Sequence, residues 1–185
     1  MTQKQRSKKQ RLKKLRLRTC SEEATFELGR ALGAALIPGM TVLLSGDLGT
    51  GKTVLVRGVG GALGATRVRS PSFTLVNEYR TGTVGFSMVH ADLYRLDAGD
   101  ADDLGLEEYH ETACVLLVEW PERWTGQPER DVLKIFIEAR SENERAFDIS
   151  STGTLADLAI QNLREAIIKN DGKIDPGVGL QPALD

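Results

Sequence analysis

Only two cysteines occur among 185 residues, Cys20 and Cys114, and they stand far apart, so no disulfide framework is available. None is needed, because a chain of this length buries a substantial core unaided; both thiols read as buried or half-buried bystanders. No charged-apolar-small leader pattern and no long apolar span is visible, which argues against a membrane span and makes a reducing cytoplasm the expected compartment. No internal repeat is present, and nothing suggests a second domain. Acids are missing altogether from residues 1–18, which carry nine of the 24 Lys and Arg. The remainder then holds 15 basic against 26 acidic residues, a net of −11, although the whole chain sums to −2.

That basic segment, Met1 to Arg18, cannot order itself by apolar burial, although Leu12, Leu15 and Leu17 offer the beginning of a first strand. A flexible arm over 1–18 is expected. It serves either as a sequence-independent contact to RNA phosphates or as a solubilising tail.

What is present is a complete G-x-x-x-x-G-K-[ST] sequence, Gly46-Asp47-Leu48-Gly49-Thr50-Gly51-Lys52-Thr53. Met40 to Leu44 before it reads as a buried strand, and Val54, Leu55, Val56 and Val59 after it recur as the inner face of a helix. The glycines therefore fall at a strand-to-helix turn. There they let successive amide N–H groups point inward at phosphate oxygens, and the helix starting at Lys52 aims its positive end at the same anion. Lys52 reaches the terminal phosphates as a point charge, and the Thr53 hydroxyl supplies one oxygen to Mg²⁺. A nucleoside triphosphate is the expected ligand.

Around this turn, Ser21 with Glu22 and Glu23 begins a first helix that Pro38-Gly39 ends. Gly60-Gly61 and Gly64 close the second helix. Phe73–Tyr79 and Val84–Val89 read as a hairpin through Arg80-Thr81-Gly82. Asp100–Glu108 reads as a pair of short helical turns, Val115–Val118 as a central strand, and Val132–Ile137 and Ala146–Ile149 as two later strands. Leu155–Ile168 is a final amphipathic helix before a Gly- and Pro-bearing tail. Helices between some strands and hairpins between others predict a mixed α/β sheet.

Two strand-end acids are candidates for chemistry. Glu119 directly follows Val115–Val118, where a carboxylate is costly unless paired or bound to an ion, and it suits Mg²⁺. Asp92 follows the preceding strand and projects at the same sheet edge, either to act on an attacking water or hold a metal-bound one, or to serve as the N-cap of a helix over Leu93–Leu96. His90 reads as a packing or hydrogen-bonding histidine rather than a base, and His110 has no evident partner. Ser70-Pro71-Ser72-Phe73 occupies the place of a switch segment or of an ordinary ordered loop. Trp120 is core, stacking platform or interface anchor, its position beside Glu119 favouring the last two.

The ordered set Gly46–Thr53, Ser70-Pro71-Ser72-Phe73-Thr74-Leu75-Val76-Asn77-Glu78-Tyr79, His90-Ala91-Asp92-Leu93-Tyr94-Arg95-Leu96 and Glu119-Trp120-Pro121-Glu122 resembles the bacterial TsaE family, formerly YjeE, over about Thr19 to Ile149. The resemblance implies an α/β, P-loop NTPase-like three-layer fold with a mixed sheet. It also implies an ATPase for tRNA threonylcarbamoyladenosine biosynthesis, working with ATP and Mg²⁺ alongside the TsaB and TsaD proteins. In that system TsaD modifies the adenosine beside the anticodon of tRNAs reading codons that begin with A, and TsaE hydrolyses ATP to keep the complex cycling. Position by position, the resemblance implies that Gly49, Thr50, Gly51, Lys52, Thr53 and Val54 hold the phosphates, and that Thr53 and Glu119 hold the magnesium. Lys52, Asp92, Glu119 and Trp120 would be needed for activity, Glu23 would lie near the nucleotide, and Arg145 would contact base or ribose. Thr50 stands where the family usually has alanine. The expected division is an arm over 1–18, the ATPase domain over 19–170 and a flexible tail over 171–185, with direct contact to tRNA left open. The rival reading is a small-molecule or nucleoside kinase, for which Glu122–Arg130, with Arg123 and Arg130, is the sole candidate lid. A third is a switch-like nucleotide-binding module whose output is a conformation.

Overall fold

The uninterrupted apolar run after Cys114 becomes a strand with all six residues buried, which places it inside a sheet covered on both faces. The computed structural model describes residues 13–82, 85–110, 112–169 and 178–180. Among these, the strands are β1 (Lys13–Thr19), β2 (Met40–Ser45), β3 (Val76–Arg80), β4 (Ser87–Asp92), β5 (Cys114–Glu119), β6 (Val132–Ala139), β7 (Arg145–Thr152) and β8 (Val178–Leu180). They form one sheet in the order β3-β4-β5-β2-β6-β7-β1-β8. The four central strands, β4, β5, β2 and β6, are mutually parallel, and antiparallel pairs extend the sheet on either side. This is the expected mixed α/β sheet.

Helices α1 (Glu22–Ala35), α2 (Lys52–Leu63) and α4 (Thr154–Lys169) cover one face, over Leu17, Val42, Leu44, Leu117, Ile135 and Phe147. On the other face a thin third layer covers Leu43, Val89, Leu116 and Val118. It consists of the 3₁₀ turn Asp100–Leu104, the short helix α3 (Leu106–His110) and the buried Trp124. Ser21 caps α1 as its sequence predicts, its Oγ accepting from Ala24 N at 3.0 Å, with Glu22 and Glu23 in the first turn. Two glycines set how closely α1 and α2 pack. A Cβ on Gly29 would lie 2.2 Å from the Leu55 carbonyl oxygen, and one on Gly58 would lie 2.1 Å from that of Phe26. The two backbones therefore touch directly, which fixes α2 against α1 and with it the turn at the start of α2.

Several expectations are corrected. Lys13 to Arg18 belong to β1, paired with β7 from Lys13↔Ser151 to Thr19↔Arg145, so the flexible arm does not extend to residue 18; residues 1–12 lie outside the described residues. Leu15 and Leu17 bury into the core there, and the alternating pattern wins over the charge count. In the expected tail, Val178–Leu180 pair with β1, and the rest of 171–185 lies outside the described residues. The β3 strand begins at Val76, not Phe73, because Leu75 turns the chain with φ 63° and leaves Phe73 in a turn, 87 % exposed. β4 starts at Ser87, with Val84 outside the described residues. Gly60 and Gly61 lie inside α2, and Gly64 alone caps it, at φ 75°. Cys20 is exposed and Cys114 buried.

Candidate functional site

Because β2, β4 and β5 run parallel, their carboxyl ends meet at one edge, where register sets Leu44 and Asp92 on either side of Glu119. The Gly46–Thr53 turn leaves that edge from β2. Ligands of open α/β sheets bind in this position, outside the carboxyl ends of parallel strands. Gly46, Gly49 and Gly51 take φ of 135°, 78° and 98°. Gly46 has a second reason to lack a side chain: a Cβ there would lie 2.2 Å from the Ile137 carbonyl oxygen of β6. Thr50, buried, donates its hydroxyl to Asp47 O at 2.9 Å and so braces the turn from within. Lys52 is 4 % exposed, and its Nζ donates to Gly46 O at 2.7 Å and Asp47 O at 2.8 Å. The ammonium also lies 4.1 Å from the centre of the Trp120 ring. Burial pulls its pKa below the ordinary lysine value, and the nearby charges of Glu119, Glu122, Asp92 and Asp47 oppose that pull.

Glu119 is a nearly buried carboxylate, 3 % exposed, and its surroundings explain how it is tolerated. Thr53 Oγ1 donates to it, at 2.9 Å from Oε1 and 3.2 Å from Oε2, and His90 Nε2 lies 2.9 Å from Oε1. His90 is fully buried, and its Nδ1 has no hydrogen-bond partner among the described residues. That fits the tautomer with its proton on Nε2, since an orphaned lone pair is more common than an orphaned N–H. His90 is thus the hydrogen-bonding histidine its sequence suggested, with Glu119 as the partner. His110, by contrast with expectation, does have one: its Nδ1 lies 3.1 Å from Thr41 Oγ1.

Asp92, 7 % exposed, ties two segments together. Its Oδ2 accepts from Ser70 Oγ at 2.6 Å and Ser72 Oγ at 3.3 Å, and its Oδ1 accepts from Tyr94 N at 3.2 Å. The last bond braces a turn, because Leu93–Leu96 form no helix for Asp92 to cap as its sequence had allowed; the first two hold Ser70-Pro71-Ser72 at the sheet edge. Trp120 takes φ 60° and ψ 49°, a left-handed conformation unusual for a bulky residue, and its N–H donates to Leu44 O at 3.1 Å. The turn aims its ring at Lys52 and at Tyr94, whose ring centre is 4.9 Å away.

Two clefts adjoin across the turn, and both are lined by Gly49, Gly51 and Val54. The larger, ≈ 340 Å³, is closed by Lys52, Thr53, Ser70, Asp92, Glu119 and Trp120. The smaller, ≈ 140 Å³, is closed by Ser21, Glu22, Thr25, Glu142, Asn143 and Arg145. Arg145 Nη1 donates to the carbonyl oxygens of Ser141, Glu142 and Glu144 at 3.0 to 3.1 Å, which fixes the β6–β7 turn beside this cleft. Glu23 is exposed and does not line it; Glu22 and Thr25, on either side in the same turn of α1, do. The structure therefore gathers Lys52, Thr53, Asp92, Glu119 and Trp120 on one side of the turn and Arg145 on the other, with Gly49, Gly51 and Val54 shared; Thr50, buried within the turn, lines neither cleft, and Glu23 is left out. Glu142 and Asn143 escaped sequence reasoning because a polar turn between strands carries no signal of its own.

The donors present suit a hard cation. A hydroxyl and a carboxylate are oxygen ligands, and Mg²⁺ takes one or two such ligands together with phosphate oxygens and water. Among the described residues no group of three or more His, Cys, Asp and Glu is arranged to hold a metal unaided. A cation here would draw its other ligands from a bound nucleotide and solvent.

The family model described as threonylcarbamoyl adenosine biosynthesis protein TsaE matches residues 19–147. A protein of Bacillus subtilis named tRNA threonylcarbamoyladenosine biosynthesis protein TsaE is 35 % identical over 153 residues, which is 82 % of this chain and 95 % of that protein. One of the same name from Nostoc is 38 % identical over 143 residues, 74 % of this chain and 86 % of its own. Among solved structures, Bacillus subtilis YdiB superposes with a TM-score of 0.71 at 29 % identity, covering 85 % of this chain and 98 % of that one.

Proposed function

The chain belongs to the TsaE family, and from that premise we propose that it binds and hydrolyses ATP with Mg²⁺ in support of N6-threonylcarbamoyladenosine formation in tRNAs that read codons beginning with A, acting with TsaB and TsaD. The observation that carries the nucleotide part is the pairing of Thr53 with Glu119 at the foot of the glycine turn. It sets a hydroxyl and a nearly buried carboxylate side by side where a triphosphate's end would reach. Thr53 and Glu119 are the residues to hold Mg²⁺, which would neutralise phosphate charge. Lys52 supplies a positive charge at the same end, and its tie to loop carbonyls keeps it there. The smaller cleft, with Arg145 and Glu22, is the place for base and ribose. His90 orients Glu119, and Asp92 holds the Ser70–Ser72 segment against the larger cleft, a place from which it can report what that cleft contains.

No helix among the described residues is long and apolar enough to cross a membrane, and we place the work in the cytoplasm, where the tRNA to be modified is found. The kinase reading loses its lid. In the segment Glu122–Arg130, Trp124 is 1 % exposed, Gln127 Nε2 donates to Pro121 O and Trp124 O, and Thr125 N and Gly126 N donate to Asp102. A segment pinned at this many points is suited to a wall rather than to a flap.

The deciding experiment combines the full chain with TsaB, TsaD, threonylcarbamoyl donor, tRNA and ATP. ATP turnover that is slow for the chain alone and rises with the partners, together with sustained modified-base formation, is the expected result. Modification that proceeds equally without the chain would refute the proposal.

A further inference from the structure

We propose that the face of β6, β7 and β1 left open among the described residues is a binding surface for a single-stranded stretch of RNA. The thin third layer reaches as far as Val132 at the start of β6, and beyond it the sheet shows strict alternation. Leu15, Leu17, Leu133, Ile135, Phe147 and Ile149 are buried under the helices, while their neighbours in sequence face outward. Register arranges the outward residues in two rows. Lys14, Ser150 and Lys134 lie across three adjacent strands, and Arg16, Asp148 and Phe136 lie in the next row, with Ser45 of β2 beside Phe136. These residues line one shallow cleft of ≈ 280 Å³.

Phe136 is 47 % exposed on the β2 side of this face, where an aromatic ring on a sheet offers a stacking platform for a base. Lys134 stands two residues before it on β6 and Lys14 and Arg16 stand two strands across on β1, opposed by two acids, Asp148 on β7 and Glu138 two residues further along β6. Asp148 engages Arg16 Nε at 2.6 Å, which fixes the guanidinium on the face. The excess of positive charge runs against the rest of the chain, which is net −11 beyond residue 18. It also continues the sequence immediately before it, since residues 1–13 carry six Lys or Arg and no acid. Lys14 and Lys134 sit two strands apart, about 10 Å, and their long flexible side chains can each reach a phosphate of a strand laid across the face. The Ser45 and Ser150 hydroxyls provide partners for ribose 2′-OH groups, and that favours RNA over DNA. The face adjoins the glycine turn, since Ser45 directly precedes Gly46, but it shares no lining residue with either cleft beside that turn, so this inference stands whether or not the nucleotide proposal does.

The test is fluorescence anisotropy of a labelled single-stranded RNA 12-mer, and of its DNA counterpart, with the full chain over a range of salt. Phe136→Ala should weaken RNA binding about tenfold. Lys14→Gln and Lys134→Gln should each lower the slope of log affinity against log salt by about 0.7. Circular dichroism and ATP affinity, read on the same variants, identify any loss due to misfolding. Because these positions are exposed, Phe136→Tyr serves as the paired control and should retain binding. Unchanged affinity and slope in all three variants would overturn the proposal, and so would binding that disappears on removing residues 1–12 while Phe136→Ala has no effect. Equal affinity for RNA and DNA would overturn the assignment to RNA. If RNA does not bind and Phe136→Ala instead weakens association with the proposed partner proteins, the face is a protein-docking surface and the proposal fails.

Discussion

The Thr53 hydroxyl lies within hydrogen-bond distance of both carboxylate oxygens of Glu119, 66 residues away in sequence. A parallel register brings the ends of β2 and β5 together, and the first turn of α2 then places Thr53 over the carboxylate. Glu119→Gln keeps the volume and one acceptor for Thr53 but removes the charge. The variant should melt within a few degrees of the parent and bind ATP with an affinity no longer raised by Mg²⁺. Calorimetry with MgCl₂ and with EDTA checks this. A large drop in melting temperature with metal dependence intact would make Glu119 a structural residue.

Lys52→Ala removes a charge-assisted contact to phosphate worth about 1.5–3 kcal/mol, so ATP affinity should fall roughly ten- to a hundred-fold. Truncation also leaves Trp120 without the cation above its ring. Intrinsic fluorescence read on Trp120 should therefore respond to ATP in the parent and lose that response in the variant. Unaltered ATP affinity by calorimetry would remove the glycine turn from the proposal.

Asp92→Ala frees Ser70 and Ser72 from the sheet edge without touching the turn. Nucleotide affinity should remain within a few-fold of the parent, while support of tRNA modification is lost. The freed segment gives a second readout, because trypsin should cut faster at the exposed Arg67 and Arg69. Equal loss of binding and activity would make Asp92 a pocket residue only.

The sequence exposed those parts of the site whose chemistry is local. Gly46–Thr53 is contiguous, and Glu119 and Asp92 each follow an apolar run, so their strand-end placement needed no tertiary information. Contacts made by register were not legible. The neighbours of Glu119 depend on which strands adjoin, and the same holds for His110 with Thr41 and for the cleft formed by Ser21, Glu142 and Asn143. Charge also misled: the density of Lys and Arg before Thr19 suggested an arm, whereas alternation of Leu15 and Leu17 with Lys14, Arg16 and Arg18 was the stronger physical signal. Gly29 and Gly58 carried no sequence signal either, since a glycine inside a helix reads as a weakness until its neighbour's backbone is seen.

Those two glycines give a stability prediction. Gly29→Ala would normally favour a helix by somewhat under 1 kcal/mol. Here the new methyl group would meet the Leu55 carbonyl oxygen at 2.2 Å, backbone that cannot rotate away. Forced separation of α1 and α2 should dominate and destabilise the protein by about 1–3 kcal/mol. Urea unfolding should show a lower midpoint at unchanged slope. A stabilised variant would mean the helices pack less tightly than their backbones indicate.

Tyr109 of α3 donates its hydroxyl to Glu78 Oε1 of β3 at 2.5 Å, a tie between the thin layer and the edge of the sheet. That bond, with burial and the Glu78 charge behind it, pushes the Tyr109 pKa up to about 12. A folded-state value above the ordinary value of about 10 means the contribution to stability is fully present below pH ~10 and is lost as pH rises toward 12. Glu78 is exposed and Tyr109 only half-buried, so solvent screening holds the contribution to about 1 kcal/mol or less. Absorbance at the phenolate band should therefore show a tyrosine titrating well above the ordinary value of about 10. Glu78→Gln should bring it back toward the ordinary range and erase the difference in stability between pH 9 and pH 11 that this pair causes. A titration curve unaffected by Glu78→Gln would show that the hydroxyl faces solvent and that β3 and α3 are held together by apolar packing alone.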